Sequence, residues 1–131
     1  MPTMTDTHLD SGHLIKDEQF EASDIHNVQI YVQSKMVGRA LLIAPTDMAG
    51  YILLDIVVYN EADRRKGLGD EMMAYLTERF TPIFTSYLSA AGRNLCLKHG
   101  FRMKKAFFKR DIDLLTYVKT KEPENAEIQN G

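Results

Sequence analysis

The fold is decided between residues 51 and 80, where the sequence reads YILLDIVVYNEADRRKGLGDEMMAYLTERF. The start of this stretch is rich in branched and aromatic side chains, a composition typical of a buried central strand. From Leu68 onward the apolar residues Met72 and Leu76 fall four apart, which is the spacing of an amphipathic helix. The two patterns predict a buried strand followed by a helix that begins near Gly67.

The link between this strand and this helix, residues 64–69, reads RRKGLG. Two glycines let the backbone approach a ligand closely, and the first turn of a helix offers unpaired N–H groups and a positive dipole. A pyrophosphate is therefore the expected ligand, and the three basic residues strengthen the site. The spacing differs from the dinucleotide fingerprint and from the nucleotide P-loop, so we expect neither a nicotinamide nor an ATP site. The alternative interpretation of the two glycines is an ordinary strand-to-helix turn.

The flanking segments complete a pattern of one small domain. Alternation and apolar runs predict strands at residues 28–32 and 37–44 before the central stretch and at 83–88, 101–108 and 112–118 after it, with a second helix at 90–99. Because the strand at 83–88 directly follows the first helix, we expect it to take part in a parallel pairing. We predict a flexible lead-in at residues 1–24, a folded domain at 25–118 and a disordered tail at 119–131.

Composition narrows the functional classes. The chain has 131 residues, 44% of them hydrophobic, which is enough for one domain with its own core. A net charge of -2 argues against a nucleic-acid or lipid partner. Cys96 is the only cysteine, so no intrachain disulfide forms, and the histidines show no metal-ligand spacing. We find no signal-peptide core or membrane-spanning run, and we expect a cytoplasmic protein without a metal.

Two motifs together resemble the GNAT superfamily of N-acetyltransferases. Residues 64–69 match the Arg/Gln-x-x-Gly-x-Gly/Ala motif with which that family binds the pyrophosphate of coenzyme A, with Arg64 in the first place. Residues 94–101, NLCLKHGF, resemble the family's Leu-Tyr-x-Lys-x-Gly-Phe segment. The resemblance covers residues 28–118 and implies the α/β (α+β) GNAT fold, with a mixed, mostly antiparallel central sheet flanked by helices. Too few residues precede the first clear strand for the family's usual strand and two helices, so we expect a shortened acceptor region.

The resemblance implies an acyltransferase that moves an acetyl group from acetyl-CoA directly to a primary amine. The amine acceptor is a small molecule or a protein, and the short acceptor region favours an exposed protein lysine or N-terminus. A homodimer is compatible with the resemblance. Its coenzyme A site is expected at Val57, Tyr59, Arg64, Arg65, Lys66, Gly67, Leu68, Gly69, Asp70, Ser89 and Asn94.

Transfer to an amine also needs a base for the ammonium and an acid for the departing thiolate. Asp55 is the carboxylate within the strand that leads into the motif, and burial there would raise its pKa toward a useful range. Cys96 stands where the family commonly has a tyrosine acid, although a small buried helix residue is the more ordinary interpretation of it. The sequence leaves Tyr87, Ser89 and Tyr117 open as substitutes. Asp70 would repel a phosphate unless its side chain points away.

Two other functions remain open from the sequence. A GNAT-fold protein that has lost catalysis would serve as a binding or regulatory module and still hold coenzyme A. A nucleic-acid-associated protein would use the basic residues that follow the second helix, although such a run is usually a solvated face. That basic cluster consists of Lys98, Arg102, Lys104, Lys105, Lys109 and Arg110.

Overall fold

The computed structural model describes residues 2–20, 24–46, 50–64, 66–85, 89–104 and 116–119. The strands are β1 (Thr3–His8), β2 (Leu14–Phe20), β3 (Ile25–Val32), β4 (Lys35–Ile43), β5 (Tyr51–Val58), β6 (Ile83–Thr85), β7 (Arg102–Lys104) and β8 (Thr116–Lys119). The helices are α1 (Glu61–Arg64), α2 (Leu68–Arg79) and α3 (Ala90–Lys98).

The described strands form one sheet of eight strands in the order β1-β2-β3-β4-β5-β6-β8-β7. Strands β1 to β5 pair with their neighbours in antiparallel fashion, as do β6 with β8 and β8 with β7. Strand β6 follows α2 and pairs with β5 in parallel. The mixed, mostly antiparallel sheet and its one parallel pairing are therefore confirmed.

The prediction of a flexible lead-in at residues 1–24 is wrong for most of that stretch. Strands β1 and β2 form a hairpin, in which Thr7 lies opposite Ile15 and the N–H of Leu9 donates to the carbonyl of His13 at 2.9 Å. Ile15 is fully buried in the main core. The segment has few apolar residues, and its strands are stabilised by pairing with β3, which the local sequence does not reveal.

The core lies between one face of the sheet and α2. Along β3 every second residue is buried, including Val28 and Ile30, which is the alternation expected of a strand with one covered face. The predicted helical stripe is confirmed, because all five of its apolar side chains are buried. These residues are Leu68, Met72, Met73, Leu76 and Phe80.

The opposite face of the sheet carries residues that remain partly exposed. It holds Asn27 and Tyr31 from β3, Arg39 from β4 and Asp55 from β5, at the positions that alternate with the core residues. The Tyr31 hydroxyl donates to Gln29 at 2.8 Å. This surface, which we call the open face, is polar at its centre.

The remaining predicted elements are described in part. Helix α3 and the antiparallel pairing of β7 with β8 agree with the sequence, whereas the short helix α1 was not predicted. Residues 86–88 and 105–115 lie outside the described part of the chain. So does the predicted tail, apart from Lys119, which belongs to β8.

Candidate functional site

The site begins where β5 and β6 stop pairing. Their parallel pairing comprises Tyr51 with Ile83 and Ile52 with Phe84, and the Thr85 hydroxyl adds a bond of 2.9 Å to the carbonyl of Leu53. Strand β5 continues to Val58 with β4 on its other side. The second half of β5 therefore presents a strand edge to a gap in the described sheet.

A cavity of about 680 Å³ occupies this gap. Its size lies within the usual range for small-molecule and cofactor sites. Six of the residues expected to bind the cofactor line it, namely Val57, Arg64, Gly67, Gly69, Asp70 and Ser89. Five lining residues were not predicted, namely Ile56, Val58, Ala91, Gly92 and Leu95. In the sequence, the run of small residues at 89–92 could have indicated two of these five, Ala91 and Gly92.

Gly67 and Gly69 shape the wall of the cavity at the start of α2. Gly67 precedes the helix in the left-handed conformation, with φ 77° and ψ 14°, where a side chain would be strained. Among the described residues no side chain caps this helix end. A Cβ atom on Gly69 would approach the Leu95 side chain at 3.4 Å, an ordinary contact distance. The first-turn amides of α2 are thus available to an anion in the cavity.

The basic residues of the motif have different surroundings. The Arg64 guanidinium donates to the carbonyl of Val58 at 2.8 Å and to that of Tyr59 at 3.4 Å, which ties the end of β5 to α1. Lys66 is exposed and forms an ion pair with Asp63 at 3.2 Å. Arg64 therefore lies at the cavity, Lys66 is outside its lining, and Arg65 lies outside the described residues.

Asp70, in the first turn of α2, is held from outside the cavity. His99 Nε2 donates to one carboxylate oxygen at 2.8 Å, and Lys98 Nζ donates to the other at 3.1 Å. These bonds, first the one from His99, lower the pKa of the Asp70 carboxyl below its ordinary value. The negative charge is therefore partly neutralised at the place where it would otherwise repel a phosphate.

The start of α3 forms the opposite wall. The Ser89 hydroxyl accepts a hydrogen bond from the N–H of Gly92 at 3.1 Å and so caps this helix. The adjoining Ala91 and Gly92 are small and line the cavity. The N-termini of α2 and α3 thus both border one space, and their dipoles add positive potential there.

Asp55, the predicted base, lies on β5 directly before the lining residue Ile56. Its side chain is 54% exposed and lies 3.7 Å from Arg39. The adjacent Leu54 is the extra residue of a β-bulge, since Asp55 lies opposite Leu41 and Leu53 lies opposite Leu42. The burial that we expected to raise the pKa of Asp55 is absent, although the residue stays close to the cavity along the strand.

Cys96, the predicted acid, is not brought to the cavity. It is fully buried among core residues, and desolvation raises the pKa of its thiol to about 12. A thiol in this state is a poor proton donor, and Cys96 is not among the described residues that line the cavity. The structure supports the interpretation of Cys96 as a small core residue and corrects the catalytic one.

The other predicted residues fall outside the cavity lining or outside the described residues. Leu68 is fully buried in the core, while Tyr59 and Asn94 are exposed. The side chains of Tyr87 and Tyr117 lie outside the described part. Of the basic cluster, Lys98 pairs with Asp70 and Arg102 donates to the carbonyl of Phe101, and the side chains of Lys104, Lys105, Lys109 and Arg110 are not described.

The described residues show neither a metal-binding cluster nor a membrane-spanning helix. No group of three or more His, Cys, Asp or Glu side chains within the described ranges is arranged to hold a metal ion. None of the described helices has the length and apolar character needed to cross a bilayer.

Comparison with solved structures identifies the fold. A GNAT-family protein from Desulfovibrio desulfuricans is 22% identical, with a TM-score of 0.57 over 75% of this chain and 69% of its own. A GNAT-family acetyltransferase from Elizabethkingia anophelis, solved with acetyl-CoA bound, is 14% identical, with a TM-score of 0.57 over 74% of this chain and 76% of its own. One from Staphylococcus aureus Mu50 is 15% identical, with a TM-score of 0.58 over 78% and 72%.

No family model matches the sequence, and no curated protein matches it either. Several solved proteins of the GNAT family nevertheless have a similar structure. The chain therefore has the GNAT fold, and the fold expected from the two sequence motifs is confirmed.

Proposed function

We propose that this GNAT-fold chain is an acyl-coenzyme A dependent N-acetyltransferase that transfers the acetyl group of acetyl-CoA to a primary amine. The observation that carries the proposal is the cavity of about 680 Å³ between the free edge of β5 and the N-termini of α2 and α3. A neighbour of the same fold from Elizabethkingia anophelis was solved with acetyl-CoA bound. That complex supports acetyl-CoA as the co-substrate here.

The cavity matches the parts of coenzyme A by their chemistry. The pyrophosphate would lie against the first-turn amides of α2 near Gly67 and Gly69. The amide-containing pantetheine arm would run along the cavity side of β5, where no pairing follows Ile52 among the described residues and backbone N–H and C=O groups could bond an extended ligand. The apolar side chains of Ile56, Val57 and Leu95 would contact its methylene groups.

The chemical step follows from this placement. The neutral amine attacks the thioester carbonyl carbon, a C–N bond forms, the C–S bond breaks, and the departing coenzyme A thiolate takes up, through water, the proton that the attacking nitrogen loses. Asp55 accepts the proton that the ammonium must lose before attack, because it is the carboxylate nearest along β5 to the cavity and is open to solvent. Cys96 has no part in the step, since it is buried in the core.

The acceptor is proposed to be a lysine or an N-terminus on a protein. The N-terminal hairpin of β1 and β2 extends the sheet, and the open face beside Asp55 carries polar groups of Gln29, Tyr31 and Arg39 at its surface. Such a shallow surface suits an amine on a large partner better than a metabolite that must be enclosed. This finer assignment depends on the coenzyme A site being functional.

A catalytically inactive module that binds coenzyme A is the second candidate. It is favoured by one observation, that Cys96, at the position where a tyrosine acid is common, faces the core. The two candidates share the cofactor site and differ in turnover alone. Acetyl transfer to amine acceptors therefore discriminates them.

The test is calorimetric titration of acetyl-CoA into the wild type and into a Gly69→Glu variant. The substitution would add a negative charge to the cavity wall, in the first turn of α2. Because this charge would repel the phosphates of acetyl-CoA, we expect binding to weaken at least about tenfold. The matched control is Leu97→Glu, which adds the same charge to an exposed position of α3 outside the cavity lining. It should bind as the wild type does.

The outcomes separate the candidates. Binding that Gly69→Glu loses and Leu97→Glu keeps would support the cofactor site, and an acceptor screen with wild type and Asp55→Asn would then test turnover. Binding without transfer to any lysine peptide, N-terminal peptide or small amine would favour the inactive module. A wild type that does not bind acetyl-CoA would refute both.

A further inference from the structure

An acidic residue stands where the proposed ligand would place its negative charge. Asp70 is the third residue of α2, after Leu68 and Gly69, and it belongs to the lining of the cavity. A carboxylate in the first turn of a helix is attracted by the unpaired amides and by the positive end of the dipole. Left free, it would occupy the amides that an anion needs and would repel that anion.

The structure binds this carboxylate to two residues at the C-terminal end of α3. One oxygen accepts from His99 Nε2 at 2.8 Å and the other from Lys98 Nζ at 3.1 Å, so both oxygens have partners at the far end of α3. His99 is itself held in place, because its backbone N–H donates to the backbone carbonyls of Leu95 and Cys96 and its side chain is largely buried. We call Asp70, Lys98 and His99 the latch.

We propose that His99 and Lys98 are positioning residues that keep the N-terminus of α2 open to an anionic ligand by drawing the Asp70 carboxylate toward α3. The proposal rests on the proposed function in one respect, because the ligand is taken to be the pyrophosphate of coenzyme A. The two residues do not touch that ligand. They act through Asp70, which they partly neutralise and hold in place.

The latch also joins the two walls of the cavity. Gly69 and Leu95 lie close together on the same two helices, with 3.4 Å between the Leu95 side chain and a Cβ built on Gly69. The latch fixes α2 to the C-terminal end of α3, while the N-terminal end of α3 forms the opposite wall. A purely structural role would follow from this arrangement alone, so the test must separate charge from support.

Neutralising Asp70 in a variant that lacks Lys98 and His99 separates the effect of charge from that of structural support. The wild type, a Lys98→Met/His99→Ala variant and the same variant with Asp70→Asn would be titrated with coenzyme A by calorimetry. Freed from its partners, Asp70 should weaken coenzyme A binding about three- to tenfold in the double variant. Adding Asp70→Asn should restore most of that affinity, because the amide carries no charge to repel the ligand. Asp70→Asn alone, which keeps the other latch residues, should bind about twofold more tightly.

Arg93→Met is the matched control, since it removes an exposed cation from the same helix outside the cavity lining. It should bind coenzyme A as the wild type does, and the unfolding free energy of every variant would be measured beside its affinity. Equal affinity in wild type and double variant would overturn the proposal, and so would a triple variant as weak as the double one, which would indicate structural support only. A wild type that fails to bind coenzyme A would overturn the proposed function as well.

Discussion

The N-terminal half of the sheet and the half that carries the cavity are built in different ways. In the first, β1 to β4 follow one another as antiparallel neighbours, and each strand is paired along most of its length. In the second, β5 and β6 are parallel, are joined through α2, and share a pairing of two residues before the cavity opens. Within the described residues, β2 to β4 have a paired neighbour on both sides, whereas the second half of β5 is paired only with β4.

The difference shows where local sequence is informative. A helix start needs specific residues nearby, so the glycines at 67 and 69 and the cap at Ser89 indicate the cavity half directly. The hairpin of β1 and β2 depends on partners supplied by β3, and its own residues carry a weak pattern. The hairpin, whose residues show little pattern in the sequence, contributes Ile15 to the main core.

The largest expected effect comes from removing that contribution. Ile15→Ala should lower the unfolding free energy by about 2–5 kcal/mol, because it deletes buried methyl groups and leaves a cavity. Met4→Ala, on the neighbouring strand but 47% exposed, should change it by less than about 0.5 kcal/mol. Urea denaturation measures both. A negligible loss for Ile15→Ala would mean that residues 2–20 are a lead-in after all and that the two halves do not share a core.

A smaller effect on stability is expected from substituting Cys96. The family resemblance suggested that Cys96 acts in the cavity, but its side chain is buried in the core. Cys96→Ala should cost about 1 kcal/mol of stability and leave coenzyme A binding unchanged. In the wild type the thiol should react with a thiol reagent at pH 8 only as fast as the protein opens, because burial raises its pKa to about 12. Rapid labelling of the native protein, or loss of coenzyme A binding in Cys96→Ala, would indicate that the thiol is accessible from the cavity and is not a core residue.

The smallest effect concerns the acid stability that the latch adds to the cavity half. The folded-state pKa of Asp70 lies below its ordinary value of 3.8, so its contribution to stability is present above pH 3.8. That contribution is lost as the pH falls through the folded-state pKa. The wild type should therefore lose more stability than Asp70→Asn between about pH 5 and pH 2. The carboxylate is 37% exposed, which keeps the difference small. Equal acid unfolding curves would show that the latch adds no stability.

Sequence reasoning succeeded at the positions where one residue type has a local physical cause. The helix predicted to begin near Gly67 starts at Leu68, directly after Gly67 in a left-handed turn, and the predicted stripe from Leu68 to Leu76 forms its buried face. The role of Cys96 as an acid came only from the family resemblance and is not supported by the structure, whereas its more ordinary interpretation as a small buried helix residue agrees with the burial of Cys96. The expected burial of Asp55 failed as well, since a bulge at Leu54 decides which side of β5 is covered.

By itself the sequence determined the order of most strands and helices, the parallel crossover through α2 and the start of α2 at the motif of residues 64–69, because propensity, periodicity and helix capping act over a few residues. The tertiary structure alone decided that residues 3–20 form a hairpin, that the described pairing of β5 with β6 covers two residues of each strand, and that Asp70 is held by Lys98 and His99. These features depend on contacts between residues far apart in the chain. Local preferences do not predict such contacts, because these contacts form only when the sheet and the helices pack together.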